Sequence, residues 1–91
     1  MNHEKYRILI VDDEEKDRSI AHILLRRQYG DLFEISEAKD AAEAKAIMET
    51  WQADLLMVDI HMPGVSGLKL VRDIRARDFK VYIMILTAFN Y

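Results

Sequence analysis

The chain has 91 residues, 51% of them apolar, with a formal net charge of −3 and no cysteine. These figures exclude a disulfide framework and a thiolate metal site. With no basic run they also leave no dominant nucleic-acid surface, so no nucleic acid is expected as a partner.

The opening Met1-Asn-His-Glu-Lys-Tyr6 is polar and does not read as a signal peptide. No apolar run approaches the roughly 18 residues of a membrane span. A single cytoplasmic domain without a membrane partner is therefore expected. The first element is Tyr6-Arg-Ile-Leu-Ile-Val11, a short β-branched run that stops at Asp12-Asp13. It reads as a strand buried on both faces. Residues 14–29 place Ile20, Ala21, Ile23 and Leu24 at helical spacing, and Gly30 supplies the stop. An alternating run over 32–37 predicts a second strand, more exposed on one face.

Asp40 followed by Glu43 has the form of a capping box and predicts a helix over 40–51, with Ala44, Ile47, Met48 and Trp51 on one side. Residues 54–59 form a third apolar run ending in Asp59. Ser66 can cap a third helix over 66–77, whose inward stripe is Leu70, Val71 and Ile74. A last apolar strand covers 81–86 and ends at Thr87. His3 and His22 read as surface residues, and Arg26-Arg27 as part of a solvated helix face.

The order β-α-β-α-β-α-β predicts an open α/β sheet of parallel strands with helices on both faces. The near-continuous apolar runs of strands one, three and four suit burial on both sides. Ligands of such sheets bind beyond the carboxyl ends of the strands. There the first strand ends in Asp12 and Asp13, the third in Asp59 and the fourth in Thr87. Carboxylates brought to neighbouring strands, about 4.8 Å apart, repel unless a cation intervenes. An all-oxygen ligand set favours Mg²⁺ or Mn²⁺. The residues thus describe an acidic, metal-binding, phosphate-handling pocket. A glycine-flanked turn behind Asp59 lets backbone groups come close to it.

Val11-Asp-Asp-Glu14, Val58-Asp-Ile-His-Met-Pro-Gly-Val-Ser-Gly-Leu68 and Ile85-Leu-Thr-Ala88 together resemble the receiver domain of two-component response regulators. The resemblance implies a flavodoxin-like sheet with the strand order 2-1-3-4. It implies that Asp59 accepts a phosphoryl group from the phosphohistidine of a sensor histidine kinase. Asp13 and Asp59 would bind Mg²⁺ directly with the backbone carbonyl of His61, and Asp12 through a coordinated water. Thr87 would hydrogen-bond the phosphoryl group. The family's fifth strand, its lysine and the flanking helices are not among these 91 residues, so the chain reads as the N-terminal part of a receiver, cut after strand four. An open fourth strand is a template for pairing with another chain, and self-association is expected. Two other readings stand beside this one. The first is a receiver fragment, inert to phosphorylation, that self-associates. The second is an aspartate-nucleophile phosphohydrolase, which usually carries a second aspartate where this chain has His61.

Overall fold

The computed structural model describes residues 3–62, 64, 66–77 and 80–86. Within them the elements run β1 (Tyr6–Val11), α1 (Glu15–Tyr29), β2 (Phe33–Ala38), α2 (Ala41–Thr50), β3 (Leu55–Asp59), α3 (Gly67–Ala76) and β4 (Tyr82–Leu86). The strands form one parallel sheet in the order β2-β1-β3-β4. That is the order the resemblance implies. Element ends differ from the sequence reading by about one residue. β2, for instance, starts at Phe33 and runs on to Ala38.

β1 is the central strand, and its alternation decides the core. Leu9 and Val11 face α2 and α3 and join Ala44, Leu56, Val58, Leu70 and Ile74 in one buried cluster. Ile8 and Ile10 are equally buried but lie outside that cluster. With a side-chain period of two they occupy the opposite face. Fully burying an aliphatic side chain of this kind contributes about 1.5–3 kcal/mol.

Two helices begin as the sequence predicts. Asp40 accepts a hydrogen bond from the Glu43 amide at 2.8 Å, and Glu43 in turn accepts one from the Lys39 amide at 3.1 Å. Ser66 Oγ accepts from the Lys69 amide at 3.2 Å and opens α3. α1 has no side-chain cap and ends at Gly30, whose φ of 63° suits a residue without a Cβ.

One expectation about burial is corrected. β4 is not covered on both faces: Tyr82, Met84 and Ile85 are exposed. Among the described residues it pairs with β3 alone, and only Ile83 packs against the core cluster. In α1 no residue is buried, and Ile20, Ile23 and Leu24 are exposed. Ile20 and Leu24 border a shallow groove shared with Leu25, Met57 and Leu86.

Candidate functional site

The site forms because of the register between β1 and β3. Val11 pairs with Val58, so Asp12 and Asp59 leave neighbouring strands side by side. Asp12, Asp13 and Asp59 each bring a carboxylate oxygen within 4.8 Å of the others. Asp12 is buried, whereas Asp13 and Asp59 are half-buried and reach toward solvent.

The two strand ends share one local geometry. Asp12 Oδ1 accepts from the Glu14 amide, and Asp59 Oδ1 accepts from the His61 amide, both at 2.9 Å. Each carboxylate bends back onto the backbone two residues ahead, as in an Asx turn. One oxygen is engaged there, and the turn fixes the direction of the carboxylate plane. Asp12 also keeps its amide on the sheet, donating to the Ala38 carbonyl at 3.1 Å.

The electrostatics follow from this crowding. Burial pushes the Asp12 carboxyl above the usual carboxylate range. The Glu14 amide opposes that rise, and the charges of Asp59, Asp17 and Asp13 add to it. The donor set is entirely hard oxygen. It fits a small divalent cation such as Mg²⁺ or Mn²⁺, whose charge would relieve the repulsion.

The glycines behind Asp59 have separate duties. Gly64 adopts a φ of 79°, where a side chain is strained. Gly67 lets α3 start directly against the end of β3. A Cβ there would lie 2.7 Å from Ile60 Cα, 2.8 Å from Val58 Cγ1 and against the Asp59 carbonyl oxygen. The turn is thus built so that the backbone of Asp59 and a helix start share one space. Thr87, the remaining residue of the expected site, lies outside the described residues. It follows Leu86, which pairs with Asp59.

At the opposite rim His3 departs from its reading as a surface residue. His3 is half-buried, and its Nε2 lies 2.6 Å from Asp54 Oδ2, which also accepts from the Arg7 amide at 2.8 Å. Burial pushes the Asp54 carboxyl up, but the bonds from His3 and Arg7 and the His3 charge outweigh it and hold it below the usual range. A carboxylate of lowered pKa stabilises the fold above its unfolded pKa, and the contribution fades as pH falls through the lowered value. Asp54→Ala is therefore expected to lose about 1.5 kcal/mol at neutral pH. The gap to the wild type should close in strong acid, as read from urea midpoints across pH. Beside this clasp the Arg7 guanidinium stacks 5.3 Å from the centre of the Trp51 ring.

Further pairings escaped the sequence reading. Arg18 donates to the Asp12 carbonyl at 2.8 Å and to Glu37 at 3.3 Å, and His22 lies 2.8 Å from the other Glu37 oxygen. Arg26 is also no mere solvated residue, since it donates to the Phe33 carbonyl at 2.7 Å. Helical spacing does place Arg18 and His22 on one face, but nothing local links them to a glutamate on another strand.

Comparison with known proteins agrees with this geometry. The family model for the response regulator receiver domain matches residues 8–91. The CAI-1 autoinducer sensor kinase/phosphatase CqsS of Vibrio cholerae is 42% identical over 73 residues, which is 80% of this chain and 10% of that protein. The transcriptional regulatory protein CitT of Bacillus subtilis is 40% identical over 81 residues, 89% of this chain and 35% of CitT. The chain thus spans about a third or less of these relatives. Among solved structures, the response regulator TrrA of Thermotoga maritima in complex with Mg²⁺-BeF superposes with a TM-score of 0.82 at 35% identity, covering 93% of this chain and 71% of TrrA. TrrA has also been solved in complex with the histidine kinase ThkA. Among the described residues no helix is long and apolar enough to cross a membrane. With its strand order, its three converging carboxylates and its match over residues 8–91, the chain belongs to the response regulator receiver domain family.

Proposed function

We propose that the chain is a phosphoacceptor in two-component signalling, taking a phosphoryl group on Asp59 from a sensor histidine kinase in the cytoplasm. The observation that carries this reading is the convergence of Asp12, Asp13 and Asp59, with ligand atoms within 4.8 Å, at the carboxyl rim of the sheet. The complexes of TrrA with Mg²⁺-BeF and with a histidine kinase support it by likeness. Asp13, Asp59 and the His61 backbone carbonyl would hold Mg²⁺ directly, and Asp12 through a water. The ion supplies neutralising charge at the transferring group.

The residues do the rest. An oxygen of Asp59 attacks phosphorus, the bond from phosphorus to the donor imidazole breaks, and the imidazole leaves with that electron pair. The turn from Asp59 Oδ1 to the His61 amide holds the carboxylate in line. Thr87 would donate its hydroxyl to a phosphoryl oxygen. The new acyl phosphate carries roughly 1.5–2 negative charges where the carboxylate carried one, and that change at a crowded rim is the signal.

Incubation with Mg²⁺ and a small phosphodonor such as acetyl phosphate tests the reading. The expected result is one phosphoryl group per chain by intact mass, mapped to Asp59 by reductive trapping. A chain that stays unmodified while binding Mg²⁺ would favour the inert receiver fragment. Repeated turnover of unrelated phosphomonoesters would favour a phosphohydrolase.

The same reading includes self-association of the 91-residue chain. The exposed Tyr82, Met84 and Ile85 of β4, together with the apolar face of α1, support it. Light scattering after size exclusion is expected to give a dimer or larger species, and a monomer at all concentrations would refute it.

A further inference from the structure

The carbonyl between the two adjacent aspartates lies beyond the last residue of β1, and its partner comes from a helix. Arg18, in the second turn of α1, places Nη1 2.8 Å from the Asp12 carbonyl oxygen. The same guanidinium donates through Nε to Glu37 Oε1 at 3.3 Å, and the other oxygen of Glu37 lies 2.8 Å from His22 Nδ1. The Arg18 side chain is only 15% exposed. Glu37 sits on β2 opposite Ile10, close to the carboxyl rim. One side chain therefore ties α1, β2 and the end of β1 to a single peptide group.

That peptide joins Asp12 to Asp13. Its orientation decides where the Asp13 side chain points relative to Asp12. The Asp12 amide and side chain are held by the Ala38 carbonyl and the Glu14 amide. The Arg18 bond adds the third fixed point, on the carbonyl. Resting on the metal-binding reading above, we infer that Arg18 is a positioning residue for the divalent-ion site, held in place by the Glu37–His22 pair.

A competing effect has the opposite sign, which makes the inference decidable. A guanidinium near three carboxylates repels an incoming cation. If charge alone mattered, removing Arg18 would tighten Mg²⁺ binding. Glu37 bonds the same guanidinium and offsets its charge locally, so orientation outweighs repulsion. Loss of a group that orients metal ligands commonly weakens metal binding by about tenfold or more.

The test measures Mg²⁺ affinity by calorimetry, and Mn²⁺ affinity by electron paramagnetic resonance, for the wild type, Arg18→Met, Arg18→Lys and Glu37→Gln. Arg18→Met keeps the stem and removes every donor; it is expected to bind about tenfold more weakly. Arg18→Lys restores one donor toward the Asp12 carbonyl and should recover part of the loss. Glu37→Gln leaves the guanidinium charge uncompensated and should also bind more weakly than the wild type. Amide hydrogen exchange on the metal-free proteins separates positioning from general instability. In Arg18→Met the Glu14 amide should exchange faster while Leu9 and Leu56 keep their protection. Equal or tighter Mg²⁺ binding by Arg18→Met overturns the inference and leaves the metal site standing. A wild type that binds neither ion removes the metal site and the inference together.

Discussion

Gly67→Ala is expected to lower the unfolding free energy by about 3 kcal/mol, at the upper end for an inserted methyl group. The new Cβ would stand 2.7 Å from Ile60 Cα and 2.8 Å from Val58 Cγ1, and closer still to the Asp59 carbonyl oxygen. Two of these three atoms are backbone, so no rotamer change relieves the clash. Either α3 withdraws from β3, which opens the core around Leu70 and Ile74, or the Asp59–Ile60 peptide shifts. The second response moves Asp59, so Mg²⁺ binding should weaken along with stability. Gly64→Ala is the matching control. Its Cβ would meet nothing within 4 Å, but its φ of 79° is strained for alanine. That variant should cost about 1 kcal/mol and leave the contact between α3 and β3 intact. Urea midpoints followed by Trp51 fluorescence distinguish the two. An unchanged midpoint for Gly67→Ala would show that the helix start slides freely along the sheet.

Mg²⁺ at one hundred times its dissociation constant is expected to add about 2.7 kcal/mol to the stability of the wild type. The same ion should add almost nothing to Asp13→Asn. Asp12→Asn should separate two roles of one residue. Burial and the neighbouring charges of Asp59, Asp17 and Asp13 raise the Asp12 carboxyl above its ordinary pKa, against the pull of the Glu14 amide. A carboxyl raised in the folded state contributes stability below its unfolded pKa, and that contribution is lost as pH rises through the raised value. At neutral pH the charged Asp12 is thus a burden on the metal-free fold. Asparagine removes the charge and keeps the Oδ1 acceptor for the Glu14 amide. Metal-free Asp12→Asn should therefore melt higher than the wild type, on the scale of about 1 kcal/mol, and gain little from Mg²⁺. Thermal melts with and without the ion read both effects. A lower melting temperature for the metal-free variant would mean that Asp12 serves the fold more than the ion.

Much of this was legible in the residues because it depends on local pattern. The apolar runs, the caps at Asp40 and Ser66 and the glycine-rich turn each sit within a few residues of what they control. Alternation of strands and helices then brings Asp12, Asp13 and Asp59 to one rim without further information. What the sequence hid are pairings that only the folded sheet creates. His3 finds Asp54 51 residues away, and Arg18 finds Glu37 19 residues away. Polar side chains at such separations carry no periodic signature, so each reads as a surface residue until its partner is known. β4 misled for a different reason. Its composition suits burial on both faces, yet composition does not reveal how many neighbours a strand has, and Tyr82 stands 72% exposed.

The stacking of Arg7 on Trp51 has a practical consequence for anyone following this molecule in solution. Trp51 is the chain's single tryptophan, and it sits at the amino rim, before β3 begins. The length of β3, about 15 Å at the usual rise per residue, separates it from the carboxylates. Its emission will register collapse of the sheet while staying dark to what happens at the far rim. A flat fluorescence trace during an ion titration is the spectrum of a distant bystander, and an optical reporter of occupancy has to be introduced at the other end.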